Sequence, residues 1–218
     1  MSSFTELAAA PDPPLDALAL ALAGEFRSVD SPGALATLET LGIELSRVAE
    51  RTARRPEAQA RACADVLGGV HGFTGDRERY DHPDNSMLDV VLERRRGLPI
   101  LLSVVYVEVA RRAGVPLVGI GLPGHFVVGH LGGDGPVLID PFAGGETIRA
   151  QVAPELVRPW STGEIAMRML NNLTASYQRR GDLGAALRAA EMRLALATEE
   201  RQREALRSEL RALQARLN

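Results

Sequence analysis

Few side chains in this sequence can do covalent or proton-transfer chemistry. Cys63 is its single thiol, and the groups that titrate near neutrality are four histidines, His71, His82, His125 and His130. His125 and Asp140 stand 15 positions apart with Gly132-Gly133-Asp134-Gly135 between them, and a hairpin of that length can put both on neighbouring strands. A His beside a carboxylate can serve as a general base or serve structure alone. Asp140 also precedes Pro141, where an aspartate can act simply as a turn residue. Ser103 offers a hydroxyl, but it stands among Leu and Val, where a serine can instead bond back to a helix carbonyl.

Other polar groups point less to chemistry. Asp81, His82, Asp84 and Asn85 form a cluster, but their spacing fits no standard zinc set and no Cys joins them. No metal is expected there. Asp84 and Asn85 are expected to cap the following helix and to hold the loop over the core. His71 and His130 carry no partner pattern and read as structural or exposed, and Cys63 reads as a small buried hydrophobe. The glycine-rich turns lack a Gly-x-x-x-x-Gly-Lys run, and no cofactor is expected.

The elements that must position these residues follow from hydrophobic spacing. Residues 1–14 end in Pro11-Asp12-Pro13-Pro14 and read as a loose lead-in. A helix is expected from Leu15 to Phe26. A second follows Ser31 as N-cap, with Pro32 opening it and Leu35, Leu38, Leu41, Leu45 and Val48 at helical spacing. A third starts at Pro56, carries Cys63 and stops at Gly68-Gly69. After an irregular stretch and a short helix through Leu88, Val91 and Leu92, a strongly apolar helix runs from Ile100 to about Arg112 and closes at Gly114 before Pro116. Being apolar on most faces, it should be central and buried. Three strands follow, Leu117 to Leu122, His125 to Leu131 and Val137 to Ile139. Past Trp160 the pattern is all helical, with a turn at Gly181-Asp182 and a last stripe of Leu206, Leu210, Leu213 and Leu217. The fold class read from this is α+β: a central helix on a small antiparallel sheet, an N-terminal helical bundle and a C-terminal all-helical tail. Residues 15–160 form the first unit and 163–218 the tail, which is expected to pack against the core or another copy.

Composition narrows the function classes. The chain has 218 residues with 25 basic and 28 acidic side chains, a formal charge of −3 that exerts no global pull on nucleic acid. Every basic residue is Arg. The runs Arg94-Arg95-Arg96, Arg111-Arg112 and Arg179-Arg180 have acids nearby and read as solvated helix faces. No stretch approaches the roughly 20 apolar residues of a membrane span. The N-terminus does not read as a signal peptide, and a lone Cys permits no intrachain disulfide. A cytoplasmic protein is expected.

Several segments, in order, resemble the SirB-type branch of the transglutaminase-like family. They are Gly72-Phe73-Thr74-Gly75 with Tyr80-Asp81-His82-Pro83-Asp84-Asn85-Ser86; Val91 to Ile100, continuing to Ala110-Arg111-Arg112-Ala113-Gly114-Val115-Pro116; Leu122-Pro123-Gly124-His125-Phe126-Val127-Val128; and Ile139-Asp140-Pro141-Phe142-Ala143-Gly144-Gly145. Arg168-Met169-Leu170-Asn171-Asn172-Leu173 with Tyr177 and Gly181-Asp182 resembles the tetratricopeptide-like tail that follows such domains. The resemblance covers residues 15–198 and implies a papain-like core. In active relatives a Cys opens the central helix, where the helix dipole favours its thiolate, a His on a strand takes the proton, and an Asp on the next strand fixes the His tautomer. His125 matches that His and Asp140 that Asp. The Cys is missing: the helix opens Gly97-Leu98-Pro99-Ile100-Leu101-Leu102-Ser103, and by register from Gly114 the Cys position falls nearer Pro99 than Ser103.

Two functions compete on this reading. One is a non-catalytic module whose groove binds a peptide or protein partner. The other is an acyl transferase or amide hydrolase that uses Ser103, His125 and Asp140. A plain structural scaffold is a third reading. No nucleic acid or membrane partner is expected.

Overall fold

The computed structural model describes residues 2–133, 135–148 and 152–216. Asp134 of the expected hairpin turn and Leu217 of the last stripe lie outside them. The lead-in holds a short helix, α1 (Phe4–Ala8), which corrects the expectation of a loose segment. Ser3 and Glu6 cap it reciprocally and Phe4 is buried. The helices α2 (Leu15–Gly24), α3 (Ser31–Ala49) and α4 (Pro56–Cys63) follow. The N-cap of α3 is Asp30, which accepts from the Gly33 N–H, rather than Ser31. From α4 the chain continues as a π-helical turn, Ala64–Val70, instead of stopping at Gly68-Gly69. A Cβ on Gly68 would lie 1.8 Å from the Gly144 carbonyl oxygen, so only glycine lets this turn approach the segment that follows Asp140.

Two-residue strands β1 (Thr74–Gly75) and β2 (Arg96–Gly97) pair in parallel and flank α5 (Leu88–Arg94). Then comes α6 (Pro99–Arg112), with Pro99 in its first turn and Gly114 beyond its end at φ 70°. The strands β3 (Leu117–Leu122), β4 (His125–His130), β5 (Val137–Asp140) and β6 (Glu146–Thr147) form one antiparallel sheet in that order. The sheet thus has a fourth, two-residue strand beyond the three expected. The chain ends in α7 (Thr162–Arg179), α8 (Leu183–Leu196) and α9 (Glu200–Gln214). The α+β class holds.

The sheet packs on α6, and α2, α3 and α5 cover its other faces. Pro99 to Tyr106 are buried without interruption. α7 joins the same core through Ile165, Met169, Leu170 and Leu173, and Phe26 stacks on Tyr177 at 5.5 Å. α9 meets α8 through a separate small cluster of Ala190, Leu210 and Leu213.

Burying α6 takes a carboxylate inside: Glu108 is 3% exposed. Arg112 Nη1 donates to Glu108 Oε2 at 2.7 Å, Arg111 Nη2 donates to the same oxygen at 2.8 Å, and Arg112 Nη2 reaches the buried Asp16 at 2.5 Å. Burial raises the Glu108 carboxyl above its ordinary range. Burial pushes Asp16 the same way, but the hydrogen bonds from Arg112 and the Ala17 N–H outweigh it and hold Asp16 low. Gly42 lets α3 cross here, since a Cβ would sit 2.5 Å from Arg112 Cβ. Arg112 is therefore a largely shielded clamp between helices, while Arg111 stays exposed as expected and reaches Glu108 from the solvent side. Arg112→Leu leaves two buried carboxylates short of a cation and should cost about 3–5 kcal/mol in urea unfolding, whereas a surface Arg201→Leu should cost under about 0.5 kcal/mol. Equal small losses in both variants would show that the clamp does not hold the helices.

Candidate functional site

The site is built at one end of the two middle strands of the sheet. Leu122 pairs with His125 across the Pro123-Gly124 turn, whose Gly124 has φ 72°. The register Val128↔Ile139 sets Asp140 across from Val127, so His125 is its diagonal neighbour on the same face. His125 Nε2 lies 2.8 Å from Asp140 Oδ2, and Asp140 Oδ1 accepts the Phe142 N–H at 2.9 Å. A carboxylate only accepts, so Nε2 carries the hydrogen and Nδ1 is the open nitrogen of the neutral ring. The pair is part-exposed, at 32% for His125 and 19% for Asp140. Among the described residues no side chain hydrogen-bonds to Nδ1.

Ser103 does not join this pair. Its side chain is 0% exposed and among the described residues its hydroxyl has no hydrogen-bond partner, neither the histidine nor a helix carbonyl. Its register on α6 turns Ser103 into the core, away from the role of nucleophile that the catalytic alternative needs, and among the described residues the back-bond to a helix carbonyl is not made either. Cys63 is fully buried, and that burial pushes its thiol up to about 12, so it is a core group and no thiolate. At the position the resemblance gave to a nucleophile, Leu98 caps α6 by backbone alone and Pro99 follows.

Sequence reasoning missed the surface beside the pair. The Phe142 ring meets His125 edge-on at 6.3 Å and Tyr80 at 5.8 Å, with the Arg77 guanidinium 5.5 Å above it. Gly75 seats that ring, for a Cβ there would fall 2.4 Å from it. Tyr80 is 45% exposed and borders a cavity of about 220 Å³ that also touches Leu98, Ala175 and Arg179. With so few aromatics in the chain, Tyr80 and Phe142 standing in segments dense with turn formers were the available signal. Tyr106 was missed as well. Its hydroxyl is buried without a partner between Gly68 and Gly145, and burial raises the phenol above its ordinary range.

The remaining candidates are structural ties. His71 Nε2 bonds Glu44 at 2.6 Å. His130 Nδ1 accepts the Gly132 N–H while Nε2 donates to Gln59, and burial lowers its pKa. His82 accepts the Asp84 N–H at 3.3 Å. Asn85 donates to the Arg79 carbonyl and so holds the loop as expected, but it caps nothing: Met87 is the N-cap of α5 and no side chain bonds there. Arg94 pairs with Asp76, Arg95 and Arg96 bond the carbonyls of His71 and Gly72, and Arg179 pairs with Asp81, so these runs too are tied down rather than merely solvated. Among the described residues no three His, Cys, Asp or Glu side chains gather as a metal site, and no helix is long and apolar enough to cross a membrane.

A sequence profile of the transglutaminase-like superfamily matches residues 33–178, which hold α6, the sheet and the His125–Asp140 pair. The chain belongs to that superfamily. It is similar to a UPF0162 protein of Xylella fastidiosa, 39% identical over 154 residues that cover 62% of this chain and 54% of that protein. It is also similar to protein SirB1 of Salmonella typhimurium, 27% identical over 61% of this chain and 55% of that protein, as the SirB-type resemblance implied. F-box only protein 21 of Homo sapiens is 31% identical over 50% of this chain and 20% of its own length. The chain thus spans about half the length of the bacterial relatives. No solved structure matches it.

The thiol gives a direct check on the site. In native protein at pH 8, Cys63 should react with a water-soluble disulfide reagent no faster than the chain unfolds, and fully once urea is added. Rapid stoichiometric labelling of the native protein would overturn the reading of Cys63 as a buried core group.

Proposed function

We propose that this transglutaminase-like domain is a non-catalytic module that binds a peptide or protein segment along the strip from His125 over Phe142 to Tyr80 and its cavity. One observation carries the reading. The His125–Asp140 pair is built and part-exposed, while Ser103, the hydroxyl considered as a nucleophile, and Cys63, the chain's one thiol, are both wholly buried. An oriented imidazole beside two aromatic rings suits recognition: Nδ1 accepts a backbone or side-chain donor, and the rings supply apolar contact at low entropy cost. A cytoplasmic setting agrees with a lone, reduced and buried cysteine.

A second reading has its own support. Asp140 fixes the tautomer that leaves Nδ1 as a base, so His125 could activate water against a bound amide without any protein nucleophile. Selection from a phage-displayed random peptide library on the wild-type chain, with the binders then measured on Tyr80→Ala and His125→Ala, separates the two. The binding reading expects sequences whose affinity drops at least about tenfold in both Tyr80→Ala and His125→Ala, and which are recovered uncleaved. Binders indifferent to both substitutions would sink the reading. Binders cleaved by the wild type and spared by His125→Ala would replace it with the hydrolytic one.

A further inference from the structure

Two cavities of about 500 Å³ each lie along one side of α7 and share Asn171. Together they make a groove walled by α7 and α9 and floored by α8, on a different face of α7 from the one that enters the core. The 18 residues of α7 make it about 27 Å long, room for about eight residues of extended chain.

The groove is cationic. Arg158, Arg168, Arg193 and Arg216 line it against Glu164 and Glu209. Glu164 is taken by Arg158 at 2.6 Å. Among the described residues Arg168 and Arg216 make no ion pair. Arg193 lies on the floor and is 6% exposed. Its Nη1 donates to Asn171 at 3.1 Å and its Nη2 to Glu209 at 2.6 Å, while Nε is buried with no acceptor among the described residues. A guanidinium takes a carboxylate best side-on, with Nε and Nη2 donating in parallel to its two oxygens. Glu209, whose side chain is 57% exposed, reaches only one of the two. It sits as a partial substitute that an incoming carboxylate can displace.

We propose that this groove binds an acidic peptide segment in extended form, with one ligand carboxylate side-on on Arg193 in place of Glu209 and with Arg168 and Arg216 facing further acidic side chains. The proposal does not depend on how the His125 strip is used, because the groove shares neither His125 nor Tyr80.

The test is fluorescence anisotropy of a labelled, amide-capped peptide of alternating Glu and Leu titrated with the whole chain at low salt. Saturable binding is expected. The charge reversals Arg168→Glu, at a half-buried position, and Arg216→Glu, at an exposed one, together should weaken it at least about tenfold, with an unchanged circular-dichroism melt. Glu209→Gln should strengthen it several-fold, and Tyr80→Ala should leave it alone. The same peptide with Lys for Glu should not bind. Absence of saturable binding, or equal binding by the charge-reversed variant, overturns the groove as an acidic-peptide site. Unchanged affinity in Glu209→Gln overturns the seat on Arg193. Tighter binding of a single-stranded oligothymidylate than of the peptide overturns the ligand class.

Discussion

The burial of α6 on every side is the constraint from which most of the molecule follows. From Pro99 to Tyr106 it shows no solvent face, and each Leu, Ile or Val so buried contributes about 1.5–3 kcal/mol. Covering it takes a sheet on one side and helices on the others. Glu108 goes inside with it, and two arginines must follow to neutralise that carboxylate. Arg112 then reaches Asp16, so one buried charge draws α2, α3 and α6 together. The same burial removes Ser103 from chemistry and leaves its hydroxyl and that of Tyr106 without partners.

The site and the groove answer to a different rule, since both need exposure. His125 sits at the first residue of β4 and Asp140 at the last of β5, at the strand ends where side chains reach water. α7 links this end of the sheet to the rest. Its Ile165, Met169 and Leu170 enter the core, Ala175 borders the cavity beside Tyr80, and Asn171 and Gln178 wall the groove that faces α9. A ligand on one face of α7 and a ligand on another would therefore press on the same helix.

Much of this was legible in the sequence where a local rule decided it. The apolar run of α6, its Gly114 stop and the Pro123-Gly124 turn each follow from a few neighbouring residues, and the spacing of His125 and Asp140 across one hairpin gave their pairing. What was not legible depends on contacts distant in sequence. The π-helical turn exists because Gly68 meets Gly144, and β6 is too short to show any alternation. The arginine runs looked solvated because their partners, Asp16 and Asp76 among them, lie far off in the chain. For Ser103 the buried helix spoke against a catalytic hydroxyl, but the back-bond to a helix carbonyl could not be told from the residue type alone. The α1 capping box of Ser3 and Glu6 was readable and was overshadowed by the prolines after it.

The central claim is the proposal that this transglutaminase-like core holds an oriented His–Asp pair that neither Ser103 nor Cys63 serves. Intact-protein mass spectrometry after exposure of the native chain to a fluorophosphonate and to a chloroacetyl peptide tests it most directly. The account predicts no adduct on Ser103 or Cys63 beyond that of the His125→Ala variant. A single stoichiometric adduct on either residue that vanishes in His125→Ala would contradict it and make the domain an enzyme.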